Sequence, residues 1–144
     1  MTNQIIAYGA VTERSANGST GWETIPECKG IAVPTVETDY IDVTNFDSPN
    51  GFKEYLPGLK DAGVINVNCG YTSAGYDQTL TDQASGLPIY YRTTLKPAPG
   101  QSTGDIFVFQ GYPTPQVSGD DVAGVIGMTI VIRTTGDVTW TAGS

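Results

Sequence analysis

Branching at Cβ dominates this chain. Thr, Val and Ile contribute 19, 12 and 11 residues, against 5 Leu and 10 Ala. Two heavy atoms on Cβ stiffen χ1, which suits a pleated surface and is mildly unfavourable in a helix. Eighteen Gly and nine Pro cut the chain into short pieces. The expectation is a mostly β protein. At 144 residues it has the size of one domain with room for a hydrophobic core.

Alternation locates the strands. Residues 23–33 (ETIPECKGIAV) read as a strand with an irregularity near Pro26. In 38–45 (TDYIDVTN), Tyr40, Asp42 and Thr44 face one way, Ile41 and Val43 the other. In Gly63–Tyr71, Ile65, Val67, Cys69 and Tyr71 share one face, while Val64, Asn66, Asn68 and Gly70 share the other. A strand with one apolar and one amide-rich face covers a core and shows its back to water or to a partner. Residues 88–96, 104–113, 121–134 and 137–141 supply further strands, about seven in all. One helix is expected over 75–85, with Tyr76, Leu80 and Ala84 as its apolar stripe and Gly86 and Pro88 as its stop. Residues 1–21 are weakly patterned and read as a flexible or assembly-ordered N-terminal arm.

The composition excludes several chemistries. The chain has no His, which removes Ser-His-Asp and Cys-His nucleophiles in their usual forms and most transition-metal sites. The net charge of −8 repels nucleic acid at long range. Asp39 and Asp42 differ by three, so on a strand they point to opposite faces and form no cluster with Asp47. Asp120-Asp121 reads as a structural or electrostatic pair, and no glycine run matches a phosphate-binding loop. No catalytic constellation, cofactor or metal site is expected. The N-terminal MTNQIIAYGAV has no basic region and no long apolar run, so no signal peptide is read and synthesis in the cytoplasm is expected. Nothing approaches a membrane-spanning run. Cys28 and Cys69 read as small buried hydrophobes; a disulfide between them needs Cα atoms within about 7 Å.

One segment fits neither core nor idle loop. Asp47 to Gly63 (DSPNGFKEYLPGLKDAG) holds two prolines and three glycines together with Phe52, Tyr55, Leu56 and Leu59. It reads as a long arm without secondary structure of its own, over 47–62, and such arms are usually functional. Its apolar side chains either fold back on their own sheet or bind a partner.

The same segment carries a resemblance. YIDVTNFDSPNGFKEYLPGLKDAGVINVN, with Trp22 and Ile25-Pro26-Glu27 upstream, resembles the signature of major tail tube proteins of long non-contractile, lambda-like bacteriophage tails. The end, Gly119-Asp120-Asp121 through Trp140, is similar to the family's C-terminus, and the likeness spans about residues 22–141. The resemblance implies a β-sandwich or split barrel with a flanking helix, closing in six copies into a ring with a continuous inner β-barrel. Rings stack into a tube through which genomic DNA leaves, with no enzymatic activity and no cofactor. The implied partners are further copies of the chain, a tape measure protein, a tail tip or initiator complex and a tail terminator; the implied location is the virion tail. It also implies one tube domain over 1–144, without the immunoglobulin-like domain that some relatives append. A related tube inside a contractile sheath shares the fold.

On this reading the arm joins subunits. Tyr55, Leu56 and Leu59 are its anchors, Lys53, Glu54, Lys60 and Asp61 set register through charge pairs, and Asp47, Phe52 and Pro57 belong to the same inter-subunit loop. Candidates for the bore are Asp42, Thr44, Asn66, Asn68 and Thr129, which alternatively face a neighbouring subunit. The competing reading is a monomeric β-sandwich binding module of carbohydrate or adhesin type, with Trp22, Trp140 and the tyrosines as a stacking platform.

Overall fold

The structure, a computed structural model, describes residues 4–119 and 122–144. Six strands form one antiparallel sheet: β1 (Val11–Ser15), β2 (Glu23–Thr24), β5 (Val64–Gly70), β6 (Ile89–Thr94), β7 (Ile106–Ser118) and β8 (Gly127–Thr141), in the order β2-β1-β6-β7-β8-β5. The sheet curls into a half-barrel. Two further strands, β3 (Glu37–Asp42) and β4 (Tyr55–Asp61), pair only with each other. One helix, α1 (Ser73–Ser85), packs on the sheet. The mostly β expectation with one flanking helix holds, with eight strands among the described residues.

Alternation places the core face of β5 as expected at Val67 and Cys69, while Tyr71 beyond it is 40% exposed. Met128, Ile130 and Ile132 of β8 are buried, and so are Val67 and Cys69 of β5, directly opposite in register. Tyr91 of β6 and Phe109 of β7 are register partners whose rings stack at 5.6 Å. No described helix is long and apolar enough to cross a membrane.

Four expectations need correction. Residues 11–15 are not part of a loose arm: they form β1 inside the sheet, between β2 and β6. The pattern was hidden because its buried side chains are polar, namely Thr12, Arg14 and Ser15. Strand β7 does not stop at Pro113 but runs to Ser118. Beyond Gly111 it has no β6 neighbour and pairs only with β8, so Pro113 and Pro115 forfeit no ladder bond on the open side. The expected strands 121–134 and 137–141 become one strand, β8, which starts only at Gly127 and continues through Gly136 in the left-handed region. Residues 122–126 are outside it, and the expected pair Asp120-Asp121 lies outside the described residues. Strand 23–33 shrinks to β2, because the chain leaves the ladder at Pro26.

The helix also differs in its buried face. Thr72 caps it by accepting the Gly75 N–H at 3.1 Å, and Gly86 closes it at φ 68. Its buried residues, however, are Gly75, Thr79 and Asp82, while Leu80 and Ala84 are exposed. Gly75 lets the helix approach Pro26 and Met128, where a Cβ would stand 3.3–3.5 Å from their side chains. Asp82 receives Arg14 of β1 in a two-pronged pair, Nε to Oδ2 at 2.7 Å and Nη2 to Oδ1 at 2.8 Å. Burial pushes the Asp82 carboxyl up, and the Arg14 guanidinium opposes that rise.

Candidate functional site

The arm is a β-hairpin. Its first strand, β3, follows the expected alternation; its second, β4, forms in spite of Pro57 and Gly58 because it is an edge strand. Asp42 opposes Tyr55, Ile41 opposes Leu56 and Tyr40 opposes Pro57. A register shift follows, and Gly58 and Leu59 together oppose Asp39 before Thr38 meets Lys60. The expectation of 47–62 as a loop is therefore corrected: only 43–54 is a tip, and it contains a single 3₁₀ turn, Pro49–Gly51.

Local hydrogen bonds hold the tip and the root. At the tip, the Asp42 carboxylate accepts the Thr44 N–H at 2.9 Å, the Glu54 N–H reaches the Thr44 hydroxyl at 2.9 Å, and Ser48 Oγ donates to Glu54 at 2.8 Å. The bonds from Thr44 hold the Asp42 carboxyl below its usual range. At the root, Asp61 accepts the Gly63 N–H at 3.0 Å and lies 3.3 Å from Arg133 of β8. The backbone bond from Gly63 is the main reason the Asp61 carboxyl titrates below its usual range, with Arg133 adding to it. Gly63, at φ 69, makes the sharp turn into β5.

The hairpin buries nothing of its own. No residue of β3 or β4 is buried. Leu59 is 84% exposed, Phe52 71% and Tyr40 67%. Side chains alternate across a strand, so both faces are apolar: Ile41 and Leu56 on one, Tyr40, Tyr55 and Pro57 on the other. Lys53 and Lys60 are exposed beside them, as is Asp47.

A second surface lies on the sheet face opposite the core. Asn68, Thr129 and Gln116 form one cross-strand row, and Asn66, Val131 and Thr114 the next. The Thr129 hydroxyl donates to Asn68 at 3.2 Å. The structure thus brings together Asn66, Asn68 and Thr129, three of the five bore candidates. It does not bring Asp42 and Thr44 to them, since those two belong to the hairpin. Thr114 and Gln116 were missed. Their signal was the alternation of Tyr112, Thr114 and Gln116 with Gly111, Pro113 and Pro115, masked by the two prolines. Two ion pairs lie along this side: Arg133 with Asp61 at 3.3 Å, and Arg92 with Glu13 at 2.9 Å.

The tryptophans do not make one platform. Trp22 lies under the Arg92 guanidinium at 4.3 Å, while Trp140 pairs in register with Phe107 at the far end of β8. Beneath α1 a cavity of about 270 Å³ is bordered by Arg14, Glu23, Pro26, Thr79, Asp82 and Tyr91. Its charged groups, Asp82 and Glu23, both pair with Arg14, which is an arrangement for holding helix to sheet. Among the described residues no group of His, Cys, Asp and Glu is placed to hold a metal ion.

No family model matches the chain, and no curated protein matches it. Solved structures do. A chain from the tail of an empty GTA particle, solved with C6 symmetry, superposes at TM-score 0.67 with 19% identity, over 92% of this chain and 95% of that one. A chain of the SPP1 tail tube superposes at 0.63 with 16% identity, over 96% and 80%. A chain of the extended sheath–tube complex of the PVC extracellular contractile injection system gives 0.64 with 15% identity, over 96% and 92%. The fold is the one shared by these tail and injection-system chains.

Proposed function

We propose that this chain is a structural subunit of a phage tail tube: six copies close into a ring, rings stack, and genomic DNA leaves through the bore. The observation that carries the proposal is the likeness to the SPP1 tail tube over 96% of this chain, on a fold whose hairpin leaves both of its apolar faces uncovered. The C6 symmetry of the GTA tail supports the ring of six.

Physical features fit this role. The edge strands of the sheet are β2 and β5, the latter covered at Asn68–Gly70 by the coil at Glu27–Lys29, and β7 is open on its β6 side beyond Gly111. An open edge is an aggregation hazard unless another chain pairs with it. Ring closure pairs edge with edge, as in a closed barrel. The hairpin reaches a neighbouring subunit, with Tyr55, Leu56 and Leu59 as anchors alongside Phe52 and Pro57. The face bearing Asn66, Asn68, Thr129, Thr114 and Gln116 lines the bore. Amides and hydroxyls without unpaired cations give phosphates nothing to hold, so DNA slides without specific binding. Asp42 and Thr44 belong with the subunit contact and not with the bore.

The role is structural and not enzymatic, located in the virion tail. Chains of similar fold occur in an injection-system baseplate and a tube-terminating cap. The partners expected here are an initiating tip complex, a terminator and a tape measure protein. Negative-stain electron microscopy across a concentration series, with and without tail tips from the producing phage, is the test. Rings or hollow tubes are expected; monomers alone in both series would overturn the proposal.

A further inference from the structure

Cys28 and Cys69 face each other at an isolated antiparallel bridge, where the coil after β2 runs beside β5. The flanking bonds define the kind of pair. Lys29 N–H donates to the Asn68 carbonyl at 3.0 Å, and Gly70 N–H donates to the Glu27 carbonyl at 2.8 Å. The cysteines are therefore a non-hydrogen-bonded pair, whose Cα atoms stand about 4.5 Å apart. Disulfides bridge Cα separations of about 4.4–6.8 Å. Both thiols are free, and their sulfurs are 3.1 Å apart. A disulfide holds its sulfurs at about 2.0 Å, so closure needs only a small side-chain rotation.

The site is reachable from one side. A cleft of about 450 Å³, bordered by Tyr8, Thr12, Lys29 and Ile31, opens on Cys28, while Cys69 is buried behind it. The position in the chain gives closure a consequence. The cysteines are 41 residues apart, and the whole β3–β4 hairpin lies between them. One root of the hairpin is fixed by the turn at Gly63 into β5. The other is the coil after Cys28, tied down at Lys29.

We infer that Cys28 and Cys69 close into a cross-strand disulfide under oxidising conditions, and that this bond clamps the second root of the hairpin to the sheet. The oxidant is a small disulfide such as oxidised glutathione. The Cys28 thiolate attacks one of its sulfurs, forming a mixed disulfide and releasing one glutathione thiolate. The Cys69 thiolate then attacks Cys28 Sγ and releases the second. Two electrons pass to the reagent, and the two protein protons end on the two glutathione thiols. Geometry sets this order: Cys28 lines the cleft and meets the reagent first, and Cys69, buried behind it with its sulfur 3.1 Å away, is placed to resolve the mixed disulfide. The inference stands whether or not the chain assembles into a tube.

The test treats the full-length chain with oxidised glutathione and follows intact mass, thiol labelling by maleimide, melting temperature and amide exchange. The expected product is two hydrogens lighter, takes no maleimide after denaturation and runs as a monomer. It melts roughly 10 °C higher, because a bond closing a loop of this length restricts the unfolded chain. The Lys29 amide exchanges more slowly, and dithiothreitol reverses every change. A Cys28→Ser variant shows no rise in melting temperature. Retained glutathione, two labelled thiols, a disulfide-linked dimer or an unchanged melting temperature in the wild type would each overturn the inference.

Discussion

Ile41 and Leu56 oppose each other across the β3–β4 hairpin, and each is more than half exposed, at 56% and 54%. A cross-strand apolar pair is normally the seed of a core. Here it has no sheet or helix over it, and the reverse face repeats the pattern with Tyr40 and Tyr55. Fully burying a side chain of this size is worth about 1.5–3 kcal/mol. That gain is left unused within one subunit and becomes available on contact with another.

The first prediction separates folding from assembly. Leu56→Asp with Leu59→Asp removes two anchors that are mostly exposed in the isolated chain, at 54% and 84%. Stability in urea should change by no more than about 0.5 kcal/mol per site, while tube formation is lost. Tubes at wild-type concentration would show that the hairpin is not the joint.

A second prediction concerns the attachment of α1. The Arg14 and Asp82 side chains are 11% and 7% exposed. Removing Asp82 leaves the buried Arg14 charge with only Glu23, 3.4 Å away and largely exposed, and stranding a buried charge costs about 3–5 kcal/mol. Asp82→Ala should therefore lose about that much in urea denaturation. Arg14→Met with Asp82→Leu should lose much less, since no charge is stranded. Equal losses in the two proteins would mean that packing, and not the ion pair, holds the helix.

These two sites mark where the sequence was legible and where it was not. Alternation gave β3 and β5, and in β5 the apolar Val67 and Cys69 do face inward, whereas the alternating apolar residues of β3 face out of the subunit. The cap-and-stop chemistry placed the end of α1 at Gly86. The buried face of α1 was illegible because it is built on a partner 68 residues away, and a pattern search assumes that apolar residues are the ones buried. The same assumption hid β1. Prolines hid the far half of β7 and all of β4, since sequence does not show which strands lack a neighbour to receive an N–H. Of the bore candidates, Asn66, Asn68 and Thr129 emerged from alternation and do share a face; Asp42 was separated from them by a topology that alternation does not encode.

A third prediction follows from the hairpin root. The carboxyl of Asp61 is held below its usual value of 3.8. Its contribution to stability is present in full above the unfolded value and is lost as pH falls through the lower folded value. An NMR titration of the Gly63 amide should therefore show a midpoint below pH 3.8, absent in Asp61→Asn. A midpoint at or above 3.8 would mean that the carboxylate does not cap the turn in solution.

The last prediction addresses the polar face of the sheet. Thr129 and Gln116 are register partners on the side away from the core, so Thr129→Lys and Gln116→Lys leave the buried row untouched and should assemble normally. In a tube of stacked rings each substitution adds a circle of cations to the bore. Cations engage DNA phosphates in proportion to the number of contacts, and that engagement weakens with salt. Genome ejection from particles carrying either variant should be slowed at low ionic strength. It should recover toward the wild-type rate near 1 M salt, where the screening length falls to about 3 Å. If the lysine variants eject at the wild-type rate at all salt concentrations, this face does not line the path of the DNA, and the β5–β8–β7 surface must instead be covered by a neighbouring subunit.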